Sequence, residues 1–295
     1  MELAPGWNGR LGRLVPFAFA VATGYQVLKY LVVQPAGIGF DARLYLAASR
    51  AWLAGQNPWQ VSDLGIYYGA PPPTLLAFAP LTILPEQVAM WLVIAGSFAL
   101  AALAFRSLGM PPWWLIAWPV VDASLVGNPD VALLAVLALN RGRLSWLAPL
   151  LKIYAFAPLV AERRFRHVSV AVGLLIATAL VLPWQSWFVQ LPTIATRLSS
   201  VSDTTSVYGN PILMGVGVIA LLALGLRRAG WLSVPVLWPS TQPHYLAMSL
   251  PALSPWLAIA WCAPHPLIVL GSVVVEAITR TLQRRRSSAQ MEPST

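Results

Sequence analysis

Charge is scarce in this 295-residue chain: 10% of its residues are charged while 58% are hydrophobic. Soluble domains carry about 25% charged residues. So few charges cannot cover a folded chain of this length with a wettable surface, so apolar surface must face lipid. Strands of alternating polarity, which a spanning barrel needs, are also missing, and helices remain as the spanning element. One cysteine, Cys262, excludes an intrachain disulfide and a thiolate metal site. The three histidines, His167, His244 and His265, are too far apart to read as a ligand pair. No phosphate-binding loop, no G-x-G-x-x-G after a strand and no Asp-x-Asp pair occurs. The sequence therefore calls for no nucleotide, no metal and no other cofactor, and any substrate is expected to come from the membrane.

What the chain does have is basic residues in short clusters between apolar runs: Arg10/Arg13, Arg141/Arg143, Arg163/Arg164/Arg166, Arg227/Arg228 and Arg284/Arg285/Arg286. The net charge of +9 is explained as cytoplasmic loops under the positive-inside rule, with no nucleic acid implied. Leu14 to Val33 reads as a retained first helix, too long for the apolar core of a signal peptide, with its N-terminus in the cytoplasm. By alternation the polar stretch 34–73 lies outside, and within it residues 42–54 read as an interfacial helix with Arg43 and Arg50 on one side. The run before Pro85 is too short to cross about 30 Å of hydrocarbon, whereas Glu86 to Phe105 is long enough.

Two later segments carry breaks. Pro111 to Asn140 is interrupted at Gly127-Asn128-Pro129-Asp130, and Leu144 to Ala161 holds Lys152 at its middle. Basic residues flank both, and a re-entrant hairpin keeps all the clusters on one side. Broken helices at membrane depth persist only where protein buries them or they line a cavity, which predicts a cavity at the break and Lys152. Phe165 to Leu182 is expected to cross outward, Pro183 to Ser206 to form an outer loop with Trp184 and Trp187 at the interface, and Val207 to Leu226 to return. Trp231 to Trp261 is interrupted at residues 239–244, and Pro264 to Ile278 is the last apolar run. The expected architecture is an all-α, polytopic transmembrane domain over residues 1–280 with eight to ten membrane segments, several half-length, followed by a disordered polar cytoplasmic tail at 281–295.

Ionisable groups inside a membrane are costly and therefore candidates for function. Here they are Asp41, Asp122, Asp130, Lys152, His244 and Glu276. Asp41, Asp130, Lys152 and His244 map to the outer side and could converge on one outward-facing cavity.

The ordered residues Phe40-Asp41, Tyr45-Leu46-Ala47-Ala48, Ala51 to Trp59, Tyr68 to Pro73, Gly127-Asn128 with Asp130, Leu151-Lys152, Arg163 to Arg166, and Gln242-Pro243-His244-Tyr245 with Leu250-Pro251 resemble glycosyltransferase family 87. This family holds polyprenol-phosphate-mannose-dependent mannosyltransferases of the GT-C superfamily. The resemblance, over about residues 40–251, implies a GT-C-like fold, a polyprenyl phosphate-linked sugar as donor, a lipid or glycan acceptor, and an inverting, metal-independent transfer. It implies Asp41 as general base, with Lys152 and His244 near the donor phosphate. Arg43 could add positive charge there, and Tyr68, Asn128, Asp130 and Gln242 are expected to line the cavity. Alanine- and arginine-rich usage points to a prokaryotic plasma membrane. A transporter or flippase of lipid-linked sugar and a non-catalytic membrane assembly partner are the alternatives.

Overall fold

A computed structural model describes residues 7, 9–199, 204–239 and 242–290, with backbone alone at 140, 141, 199 and 286–290. Ser240 and Thr241 of the late break, residues 200–203 of the expected outer loop, and tail positions 291–295 lie outside the described residues, as does the Arg141 side chain.

The chain is mostly helical. Helix α1 (Arg10–Leu28) runs on into a wider π-helical turn, Lys29–Val33. Helix α2 (Phe40–Leu53) follows, close to the interfacial helix that the sequence predicts. A small hairpin, β1 (Ser62–Asp63) and β2 (Ile66–Tyr67), pairs Ser62 with Tyr67 and Asp63 with Ile66 in antiparallel register. Then come α3 (Pro73–Phe78) and the long α4 (Glu86–Ser107). Helices α5 (Trp118–Val126) and α6 (Asp130–Ala138) form a pair bent by 120° at the expected break. A second broken segment comprises α7 (Ala148–Leu151), an extended Lys152, and α8 (Phe156–Ala161). The remainder is α9 (Phe165–Thr178), α10 (Trp184–Ser199), α11 (Pro211–Leu224), α12 (Leu226–Leu237), a 3-10 stretch Pro243–Ala252, α13 (Pro255–Ala260) and α14 (Pro266–Gln290).

Among the described residues three helical stretches are long and apolar enough to cross a membrane: Arg10–Val33, Glu86–Ser107 and Pro266–Arg285. The bent α5–α6 pair makes a fourth if it counts as one span. The segments expected to cross at 165–182 and 207–226 form helices of 14 residues each. At 1.5 Å per residue that is about 21 Å, short of a hydrocarbon core of about 30 Å. Local chemistry limits them. Asn210 caps α11 by accepting from the Leu213 N–H at 3.1 Å, and Gly225, at φ 93°, ends it.

Two other expectations are corrected. Residues 184–199 are helical, because Trp187, Leu191, Ile194 and Leu198 fall on one stripe that faces α2 and the outer hairpin. Arg197 holds this helix down, stacking on Tyr67 at 3.7 Å and donating to the Trp59 carbonyl at 3.3 Å. Secondly, α14 continues through the polar tail to Gln290, since Leu282, Gln283 and the arginines favour helix and no glycine or proline interrupts them.

The main core packs α1, α4, α5, α6, α12, α13 and α14 around buried Trp114, Trp118, Trp231 and Trp261. Their indoles are mostly satisfied. Trp118 donates to the Trp261 carbonyl at 3.1 Å, Trp261 to Ser272 at 3.0 Å and Trp231 to Glu162 at 2.9 Å. A second cluster gathers Tyr45, Trp59, Tyr68, Phe78 and Trp187 beneath the outer loop. Large apolar side chains also cover the outside: Phe17, Val21 and Leu28 on α1, Ile83 before α4, and Leu180 after α9 at 89% exposure.

Candidate functional site

The site is assembled where α2 meets the α5–α6 bend. Gly127 ends α5 at φ 74°, in the left-handed region, and a Cβ there would stand 2.6 Å from the Ala42 Cβ. The Gly39 N–H donates to the Leu125 carbonyl at 2.7 Å. These two contacts bring the first turn of α2, and with it Asp41, against Asn128.

Asn128 is held by its own backbone neighbourhood. Its amide oxygen accepts from the Asp130 N–H at 3.0 Å, which leaves the NH2 group to face the other way. That nitrogen donates to Asp41 Oδ2 at 2.6 Å and meets His244 Nε2 at 2.9 Å. An NH2 can only donate, so His244 Nε2 accepts and the imidazole is neutral with its proton on Nδ1. Nδ1 faces Asp122 Oδ2 at 3.8 Å, and Asp122 Oδ1 accepts from the Tyr30 hydroxyl at 2.7 Å. Burial pushes the Asp41 carboxyl up to about 6, against the opposing pulls of the Asn128 hydrogen bond and the nearby Lys152 charge.

Asp41 and Asn128 open on one side into a cavity of about 320 Å³. Its walls are chiefly aromatic and aliphatic, with Tyr45, Tyr68, Trp187, Trp238 and Tyr245 among them. Lys152 lies across it, buried, its Nζ 4.7 Å from the Tyr245 ring centre, 5.7 Å from Tyr45 and 5.8 Å from Tyr154. Its hydrogen-bond partner is the Tyr245 hydroxyl at 3.4 Å. Among the described residues no carboxylate pairs with it. Cation–π contacts ease the burial of an ammonium but leave its charge unneutralised.

Of the residues singled out from the sequence, Asp41, Lys152, Tyr68, Asn128 and Gln242 line this cavity. His244 stands 3.7 Å from Asp41, but its ring lines a neighbouring cavity. Asp130 is fully buried behind the wall, where it accepts from the Tyr154 hydroxyl. Arg43 is not brought to the site. Its guanidinium is used up by Asp63 at 3.0 Å and by the carbonyls of Ile38 and Ala36, both at 2.6 Å, pinning the outer loop to α2. A guanidinium so engaged has no free fork for a phosphate.

The tyrosines around Lys152, and Tyr30 beside Asp122, join the site with no role expected of them from the sequence. Asp122 stood among the ionisable groups in apolar sequence, which was the available signal. Tyr45 and Tyr245 had only their place beside Asp41 and His244. No known protein family, curated protein or solved structure matches the chain.

The arrangement offers a carboxylate able to take a proton near neutral pH, a cation free to meet an anion, and apolar walls between them.

Proposed function

We propose that the chain is a membrane hexosyltransferase that moves a sugar, mannose by resemblance, from a polyprenyl phosphate donor to a membrane-associated acceptor. One observation carries the reading: a lysine buried without a carboxylate partner faces the same apolar cavity as a carboxylate whose basicity burial has raised. The exposed apolar side chains support membrane association; the prokaryotic plasma membrane, the N-terminus inside and the cavity on the outer face rest on the basic clusters and residue usage of the sequence.

In the reaction the donor phosphate sits at Lys152 and its prenyl tail along the apolar walls. The acceptor hydroxyl gives its proton to Asp41 as its oxygen bonds to the anomeric carbon. The bond from that carbon to the phosphate oxygen breaks on the opposite face, which inverts the configuration. The electron pair leaves with the polyprenyl phosphate, whose added negative charge the Lys152 ammonium stabilises in a water-poor cavity. Charge spreads over the sugar ring in an oxocarbenium-like transition state, as in other glycosyl transfers.

Transfer from radiolabelled polyprenyl-phosphate mannose to a membrane lipid extract, by purified protein in detergent, tests this. Wild type should transfer, and Asp41→Asn should lose about 10²–10⁴-fold. Transfer by both would remove Asp41 from the chemistry. Transfer by neither, with the donor shown to bind, would favour a carrier or an assembly partner.

A further inference from the structure

A second cavity, of about 480 Å³, is lined by His244, whose ring meets the Asn128 amide that also binds Asp41. The two cavities share Ile66 and Gln242 in their linings. The second is lined by Gln26, Lys29 and Tyr30 from the end of α1, together with Asp122 and His244. The π-helical turn that begins at Lys29 widens the backbone just where these side chains enter, a distortion that is frequent at functional sites.

The Tyr30 hydroxyl donates to Asp122 Oδ1 at 2.7 Å, but other polar groups here are left without a partner. Gln26 is 8% exposed, and its amide oxygen is buried with no hydrogen-bond partner. Lys29 makes no salt bridge among the described residues, and Asp122 Oδ2 is beyond hydrogen-bond reach of His244 Nδ1. A buried polar atom without a partner is costly, and native structures retain few of them. An unpaired acceptor, a carboxylate oxygen and an imidazole N–H in one hollow match hydroxyl groups, which both donate and accept. The ammonium beside them matches an anion.

We infer that the second cavity binds a polyhydroxylated head carrying an anionic group, and that this head belongs to the acceptor. The inference rests on the transferase reading for its role: donor on the Lys152 side, acceptor on the Lys29 side, and the reacting hydroxyl reaching Asp41 past Ile66 and Gln242. The binding site itself does not depend on transfer.

The test is equilibrium binding of mannose 6-phosphate and of methyl mannoside to the purified full chain in detergent. Wild type should bind the phosphate at least tenfold more tightly. Lys29→Gln should erase that preference, and Gln26→Leu should weaken both ligands about tenfold. Gln26→Leu removes an unpaired oxygen, so its thermal unfolding should match or exceed wild type and show that it folds. Displacement of the probe by phosphatidylglycerol in mixed micelles would identify a lipid-borne head, and its absence a free sugar phosphate. Loss of mannose 6-phosphate binding in Lys152→Gln but not in Lys29→Gln overturns the inference, as does no binding by wild type. Binding as described without sugar transfer would sink the transferase reading and leave this site standing. Transfer with binding indifferent to Lys29 and Gln26 would do the reverse.

Discussion

A buried carboxylate, Asp41, and a part-buried one, Glu276, show how the same group serves different ends. Asp41 has one hydrogen bond, from Asn128, and faces a cavity; Glu276 is surrounded by partners. Arg228 meets Glu276 at 3.0 Å, Arg280 at 2.8 Å and the Ser254 hydroxyl at 2.9 Å, tying α12 and the start of α13 to α14. Glu276→Ala leaves Arg228 with the Ala252 carbonyl but no counter-charge, so it should cost about 3 kcal/mol of stability while leaving transfer per folded molecule unchanged. Chemical denaturation and specific activity measured together check this. Asp41 behaves oppositely. A general base works only when deprotonated, so with the carboxyl pushed up to about 6, kcat/KM should fall tenfold per pH unit below pH 6 and level off above it. For stability the sign reverses. A raised carboxyl contributes fully below its ordinary value of 3.8, and its contribution is lost as pH rises through about 6. Asp41→Asn, whose amide oxygen can still accept from Asn128, should therefore melt no lower than wild type at pH 7.5. A marked drop in melting temperature would make Asp41 a structural residue.

Among the elements, the bend between α5 and α6 and the first turn of α2 act as one unit. The sequence foretold the bend, since Gly127-Asn128-Pro129-Asp130 puts a glycine free to turn left-handed and a proline without an N–H together inside one apolar run. It did not foretell that the bend would seat α2. Gly127→Ala forces a side chain into the left-handed region, at about 1–2 kcal/mol, and drives its Cβ into Ala42. The shift falls next to Asp41, and a misplacement of about 1 Å can cost 10²-fold in rate. Expected are a lower melting temperature and a loss of activity larger than the loss of folded protein. Normal transfer by the folded fraction would show that α2 is positioned otherwise. Helix α10 was not legible as a helix because its tryptophans suit an interfacial loop equally well. Its stripe becomes decisive only when Tyr45, Trp59 and Tyr68 are there to receive it.

At the scale of the whole molecule, the apolar belt over α1, α4 and α14 predicts that the protein stays in the membrane pellet through an alkaline carbonate wash. Release into the supernatant would sink the membrane reading. The apolar runs alone foretold a mostly helical chain with helices long and apolar enough to cross a membrane, because hydropathy is a property of each residue and sums along a run. Gly127, Pro129 and Lys152 likewise marked the breaks in advance, since backbone freedom and charge are local. Which polar groups meet was decided by the tertiary structure. Asp41 and Asn128 are 87 positions apart, and Asn128 and His244 are 116. Arg43, two residues from Asp41, is drawn away to Asp63. A hydrogen bond acts over about 3 Å of space with no regard to distance along the chain. Only packing could therefore separate the arginine that staples a loop from the lysine that faces a cavity.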